Sequence, residues 1–253
     1  MKGTTPEGAR NEQEAARWVR GMFDTIAPRY DLANHLLSVN IDRYWRARTV
    51  KRVRPALERP GARVLDICCG TGDLSLALAK HANVLGSDFS HEMLVRARAK
   101  IAGRCAPVRV FESDALHLPV RDASVDLITV AFGFRNLTDY QAGLVEMRRV
   151  LKPDGIAAIL EFTHPRNRAF AGFYQFYCRR ILPLIGWTLT GSIAAYRYLP
   201  ESVRKFPSAE ALADQMRDAG FAEVQFDLMT FGTVALHVAH ASAGCVEPQL
   251  DTA

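Results

Sequence analysis

No apolar run in the chain approaches the roughly 20 residues that a membrane-spanning helix needs, so none is expected. The first residues are polar and charged, so no signal peptide is expected either. Cysteine is scarce. Five residues (Cys68, Cys69, Cys105, Cys178, Cys245) are odd in number and show no C-x-x-C spacing. That pattern points to neither a zinc site nor a disulfide frame, and a reducing cytoplasm is the simplest compartment. His, Cys and acid spacings form no ligand cluster, so no metal is expected. Internal repeats and low-complexity tracts are absent. Charge of one sign is only in slight excess: 32 basic against 27 acidic residues leave +5. Such a balance permits an anionic partner, a membrane surface or a nucleic acid, without requiring one. What remains is an ordinary globular composition, 49% apolar and 23% charged over 253 residues. That length suits one large α/β domain with an insertion, or two small domains.

The organising stretch is Val64–Leu78, VLDICCGTGDLSLAL. Val64-Leu65-Asp66 reads as the end of a buried strand, Gly70-Thr71-Gly72 as a tight loop, and Leu74–Leu78 as the start of a helix. Strand, glycine turn and helix is how a doubly wound α/β fold opens a nucleotide site. A dinucleotide fingerprint would place a third small residue where Ser75 stands. Asp73 occupies the helix N-terminus that would receive a pyrophosphate, and a carboxylate there repels a phosphate. The loop therefore favours a cationic nucleoside ligand. S-adenosylmethionine fits, with a sulfonium, an ammonium and no phosphate; Asp66 offers a negative charge for the ammonium.

Around this stretch the chain alternates. Strands are expected at 63–67, 83–87, 108–112, 125–131 and 156–162, and helices at 73–81, 91–101 and 140–151. The alternation means a mostly parallel, doubly wound sheet covered on both faces. Strands near 223–228 and 231–238, joined by a short turn, add an antiparallel pair and bring the sheet to seven strands. Residues 1–55 read as an N-terminal helical segment. Within it residues 1–13 are expected to be frayed, and a helix over Glu14–Met22 is followed by Pro28. A second helix carries Leu32, Leu36 and Leu37, and a third runs through Trp45 and ends before Pro55. Residues 56–240 form the main domain. Its aromatic, apolar stretch at about 164–207 reads as two short helices forming a lid, or as plain core under a loop. A helix over 208–219 ends at Gly220, and 241–253 is a loose tail.

Asp88 ends the second strand, where an acid accepts both ribose hydroxyls; Ser90 already serves as the following helix cap. Asp114-Ala115 ends the third strand, where an acid can take the adenine amino group or simply make a turn. Arg135-Asn136 follows the fourth strand at the carboxyl edge of the sheet. The pair can face a ligand crevice, or serve as a salt bridge and a cap.

Together these stretches resemble known sequences. Val64–Leu78 with Asp88 is similar to class I S-adenosylmethionine-dependent methyltransferases. Tyr30-Asp31-Leu32-Ala33-Asn34-His35-Leu36-Leu37-Ser38 with Trp45 resembles the N-terminal signature of the ubiquinone/menaquinone biosynthesis C-methyltransferases. Phe132–Asp139, Arg149–Pro153 and Tyr196–Ser202 resemble that family too, and the likeness runs from about residue 20 to 240. Departures are Ala33 for a usual Met, Asp42 where ubiquinone-type members often have His, Asp154 for a turn glycine, and Ala131 for a cofactor-contacting Ser, a contact therefore not carried over. Leu199-Pro200 and Asp42 lean to the menaquinone-making branch.

The resemblance implies an S-adenosylmethionine-dependent enzyme that methylates a ring carbon of a prenylated quinol. The substrate would be demethylmenaquinol or, in the other branch, 2-methoxy-6-polyprenyl-benzoquinol. It carries over Gly70, Thr71, Gly72, Asp88, Asp114 and Ala115 as cofactor residues beside Asp66. A ring carbon becomes nucleophilic when a neighbouring phenol, of pKa near 10, loses its proton. Arg135 can stabilise that phenolate, and a water held by Arg135 and Asn136, or His35, can take the proton. Tyr30, Asn34 and Tyr196 are candidates for holding the ring; core packing is the plain alternative for either tyrosine. A prenyl tail puts the substrate in the membrane, so Arg166, Arg168, Arg179 and Arg180 suit transient, peripheral contact with the inner face of the cytoplasmic membrane. A homodimer is left open. An RNA methyltransferase is disfavoured because aromatic and basic residues do not interleave outside the lid, so no nucleic-acid partner is expected. An NAD-dependent oxidoreductase is disfavoured by Asp73 and Ser75, and a non-catalytic scaffold by the intact Gly70, Gly72, Asp88 and Arg135.

Overall fold

In the computed structural model residues 3–38, 40–165, 172 and 193–242 are described, the side chains of Ala33, Leu37 and 193–196 excepted. Helix α1 (Glu12–Ile26) starts at Asn11, whose side-chain oxygen accepts from the Glu14 amide at 2.9 Å. A 3-10 turn, Ala27–Arg29, carries Pro28 and redirects the chain into α2 (Tyr30–Leu37). Helix α3 (Ile41–Leu57) passes the expected stop at Pro55. A proline in the last turn forfeits one hydrogen bond. Here the Glu58 amide still closes on the Arg54 carbonyl at 3.0 Å, and Ala56 and Leu57 are buried.

The sheet is assembled from β1 (Val64–Ile67), β2 (Val84–Asp88), β3 (Val108–Glu112), β4 (Val125–Ala131), β5 (Leu151–Phe162), β6 (Ala222–Met229) and β7 (Val234–His240). Its order is β3-β2-β1-β4-β5-β7-β6. The first five pair in parallel, and β7 runs antiparallel to both neighbours. Helices α4 (Asp73–Leu78), α5 (His91–Gly103), α6 (Tyr140–Val150), α7 (Ile193–Lys205) and α8 (Ala209–Asp218) complete the described elements. Strand β5 begins earlier than expected. Val125 pairs with Leu151 but Leu127 pairs with Ile156, so Lys152–Gly155 bulge out of register.

Alternate strand residues face opposite layers. Leu65, Ile128 and Ile159 pack with Leu144 and Met147 of α6 and Leu212 of α8. Val64, Leu127 and Ala158 pack with Val53 of α3, Leu78 of α4 and Ala97 of α5. Both faces are thus covered, as the near-continuous apolar strands require.

Residues 3–5, expected to be frayed, are held against the domain. Thr4 is buried, and its amide donates to the Leu137 carbonyl at 2.7 Å. Most of the expected lid, 166–171 and 173–192, lies outside the described residues, as does 243–253 of the tail.

Candidate active site

Order reverses between β1 and β4, and their carboxyl ends part there to leave a crevice. Such a switch point is where open α/β sheets bind ligands. A cleft of about 700 Å³, open mouth included, occupies it. Among the described residues its wall carries two carboxylates, Asp88 and Asp114, and no lysine or arginine. Phe89, Met93, Leu116 and Leu137 supply apolar surface. A flat base with a diol and a cationic tail suits that mixture better than a pyrophosphate does.

Asp88 is built into the glycine loop. Its Oδ2 accepts from the Gly70 amide at 2.8 Å and its Oδ1 from the Ser90 amide at 2.9 Å. Burial, partly offset by those amides, pushes its carboxyl up to about 6. The Phe89 amide also acts on the carboxylate, and the lone-pair capacity left over can accept from a ligand hydroxyl. Ser90 caps α5, as its position predicts, by accepting from the Met93 amide at 3.2 Å. Asp114 is half exposed at the end of β3, its Oδ1 accepting from the Leu116 amide at 2.9 Å, and Ala115 is buried beside it on the wall.

The loops after β1 and β4 meet edge to edge. Cys68 and Phe132 both have left-handed backbone, φ 49° and 59°, an uncommon conformation for residues with a Cβ. A Cβ on Gly133 would lie 2.3 Å from the Cys68 Cβ, so only glycine closes this seam. Burial raises the Cys68 thiol, with Asp88 adding to the effect. A neutral thiol is wall material and not a nucleophile.

Four expected site residues stand elsewhere. Asp66 is turned into the core, where Ser75 donates to it at 2.5 Å and Thr129 at 2.7 Å. Burial, the largest influence, pushes its carboxyl up to about 6. Gly72 starts α4 and packs near Ala97. Thr71 donates to Asp31 at 2.5 Å and accepts from Lys100 at 3.0 Å. His35 meets Asp42 at 3.0 Å and approaches Asp73 at 4.0 Å. These last groups belong to an ion lattice that sequence reading did not find. Lys100 joins Asp31 at 2.7 Å and Asp73 at 2.6 Å, and Arg46 bonds Asp42. The lattice latches α2 to the glycine loop. His35, Asp42 and Asp73 lie close enough to share a metal ion, but Arg46 and Lys100 already neutralise those carboxylates.

Because of the latch, Tyr30 reaches the cleft wall. Its ring stands edge-on to Phe23 at 6.0 Å, Asn34 hydrogen-bonds its hydroxyl, and burial raises its phenol. The Tyr196 side chain lies outside the described residues. Tyr198, two positions on, is the tyrosine seen at the site: its hydroxyl donates to Asn136 Oδ1 at 3.0 Å.

Arg135 and Asn136 sit in a 3-10 turn after β4, and Asn136 is on the cleft wall. Arg135 lies behind it, buried. Its guanidinium donates to Glu161 Oε1 at 2.9 Å and to the Phe132 carbonyl at 2.5 Å, and lies 5.3 Å from the Phe162 ring centre. Glu161 also accepts from the Arg135 and Phe162 amides. Arg135 Nε is buried with no hydrogen-bond partner among the described residues. Trp45, Phe132 and Phe162 form an aromatic cluster alongside, with ring centres 4.8–6.1 Å apart.

Solved structures show the same fold at low identity. A methyltransferase of Thermotoga maritima, titled a possible histamine N-methyltransferase, matches with a TM-score of 0.63 at 20% identity, over 88% of this chain and 99% of its own. The [4+2]-cyclase SpnF matches with a TM-score of 0.66 at 17%, over 96% and 100%. The fold and its crevice are those of the class I S-adenosylmethionine-dependent methyltransferases; the cyclase shows that the fold alone does not fix the chemistry.

Sequence comparison is more specific. The chain belongs to the ubiE/COQ5 methyltransferase family, whose model matches residues 9–241. It is 49% identical to a demethylmenaquinone methyltransferase of Thermus thermophilus over 86% of this chain and 98% of that one. A Geotalea uraniireducens ubiquinone/menaquinone biosynthesis C-methyltransferase UbiE is 42% identical over 89% and 97%. The protein is therefore an S-adenosylmethionine-dependent methyltransferase, as the loop chemistry and the resemblance had suggested.

Proposed function

We propose that the protein methylates a ring carbon of a prenylated quinol, demethylmenaquinol, in menaquinone synthesis. The family and the relatives support quinol C-methylation. The particular quinol rests on the name of the Thermus relative and on Asp42 and Leu199-Pro200. Bound S-adenosylmethionine supplies an electrophilic methyl on sulfur. Asp88 holds the ribose hydroxyls, Asp114 and Ala115 flank the adenine, and the apolar wall excludes water from it.

The observation that carries the reaction is Arg135. A buried, ion-paired guanidinium whose Nε–H has no partner among the described residues, beside a ligand cleft, is arranged to receive an anionic oxygen. Tyr30 and Tyr198 both lie within the reach of its charge. Asn136, on the wall, offers a second donor. Arg135 stays protonated throughout, so the proton leaves to water; His35 is engaged by Asp42, and we read it as part of the latch. Tyr30 and Asn34 shape the ring site.

Among the described residues no helix is long and apolar enough to cross a membrane. Leu32, Leu36, Ile41 and Tyr44 nevertheless expose large apolar side chains on α2 and the start of α3. With the arginines of 164–207 they suit shallow contact with an anionic bilayer from which the tailed substrate enters. The test is transfer of labelled methyl to demethylmenaquinol and, separately, to 2-methoxy-6-polyprenyl-benzoquinol. Labelling of the first confirms the branch; labelling of the second alone reassigns it; labelling of neither overturns the quinol substrate.

A further inference from the structure

We propose that the strap Gly3–Thr5, acting through Thr4 and Tyr198, sets which end of the Asn136 side-chain amide faces the substrate, which makes Thr4 and Tyr198 positioning residues for methyl transfer. The proposal rests on the role given above to Asn136. It concerns a segment outside residues 9–241 matched by the family model.

The strap is built onto the catalytic turn. Besides the bond from the Thr4 amide to the Leu137 carbonyl, a Cβ on Gly3 would lie 2.3 Å from that carbonyl oxygen and 2.5 Å from the Thr138 carbonyl carbon. Only glycine lets the backbone lie so close. Leu137 and Thr138 are themselves on the cleft wall. At the other end Lys205 of α7 donates to the Thr5 carbonyl at 3.0 Å and to its hydroxyl at 2.9 Å. The strap thus ties α7 to the turn after β4.

Hydrogen-bond direction follows from counting protons. The Tyr198 hydroxyl has one, and donates it to Asn136 Oδ1. Thr4 Oγ1 lies 2.6 Å from the same phenol oxygen, so the threonine must donate. Both side chains are nearly buried, at 3% and 7% exposure, so water does not compete. With Oδ1 fixed on Tyr198, Asn136 Nδ2 turns towards the Phe132 carbonyl, 3.5 Å away. One Nδ2 hydrogen goes to that carbonyl, and the second is left for a ligand at the wall, where Asn136 stands. An N–H attracts a phenolate oxygen, whereas a carbonyl there repels it. Without the Thr4 bond no other hydrogen bond among the described residues holds the Tyr198 phenol oxygen in place, so the hydroxyl can turn away from Oδ1 and the Asn136 amide loses the donor that fixes it.

The test uses full-length protein and the quinol that the wild type methylates, with kcat, quinol KM, cofactor Kd and Tm measured for each variant. Tyr198→Phe and Thr4→Val are expected to lower kcat about tenfold, the equivalent of one hydrogen bond, with cofactor Kd unchanged. Thr4→Ser keeps the donor and should restore kcat. Tyr198→Phe added to Asn136→Ala should slow the enzyme no further. If Asn136→Ala keeps the wild-type kcat, the reading of Asn136 fails and this proposal with it. If Asn136→Ala is slow while Tyr198→Phe and Thr4→Val lose only Tm, the strap is structural and this proposal alone is overturned.

Discussion

Asp88→Ala removes a carboxylate that does two jobs, and the structure separates them. One is internal: the carboxylate satisfies the Gly70 and Ser90 amides. Leaving two such donors without a partner costs roughly 1–3 kcal/mol each if water cannot reach them. The other is the ribose, with two charge-assisted hydrogen bonds at about 1.5 kcal/mol or more apiece. Their loss amounts to roughly 3 kcal/mol, or about 150-fold in Kd. Calorimetry with S-adenosylmethionine, beside thermal unfolding without it, reads the two terms apart. pH adds a check. The free carboxyl titrates near 6, and the ligand needs the charged form. Wild-type Kd is therefore steady above that pH and weakens as pH falls through it; Asp88→Ala should show no such inflection. A variant that loses Tm but keeps wild-type Kd would show that Asp88 builds the loop and does not touch the cofactor.

Lys100→Met leaves Asp31 and Asp73 facing each other, both only partly exposed. It should cost about 1–2 kcal/mol in urea unfolding and speed amide exchange over 30–37; unchanged exchange would refute the latch. The protein should sediment with anionic liposomes at low salt and come off as salt rises. Leu32→Ser with Leu36→Ser should weaken that binding, and equal affinity for neutral vesicles would remove the basic groups from the account. At the Arg135–Glu161 pair, Glu161→Gln strands a buried cation and should destabilise the fold by about 3–5 kcal/mol; an unchanged urea midpoint would contradict the pairing.

Local chemistry was legible in the sequence, and long-range pairing was not. The strand–loop–helix at Val64–Leu78, the Ser90 cap and the position of Arg135-Asn136 after β4 each follow from patterns within a dozen residues. Glu161 was missed because it meets Arg135 only when β4 and β5 pair. Tyr198 was passed over for Tyr196. Tyr198 meets Asn136 and Thr4 only through the packing of α7 against the turn after β4 and the N-terminal strap, partners 62 and 194 positions away. Thr71 and Asp66 lie in the right motif but face Asp31 and Ser75, and only three dimensions show which side of a loop touches the cleft. Gly3–Thr5 carries no periodic signal at all; its burial comes from partners 133 or more positions away.

The central claim is that Arg135 stabilises the developing phenolate. Arg135→Ala would confound this by leaving Glu161 buried and unpaired, so the decisive variant is Arg135→Gln with Glu161→Gln, which removes both charges and keeps a polar side chain at each position. Its cofactor Kd and Tm should stay close to wild type while kcat on the quinol falls roughly 10²–10³-fold, the usual effect of losing one preorganised donor to a developing anion. Wild-type kcat in that double variant would contradict the claim and leave Arg135 as an anchor for the turn after β4.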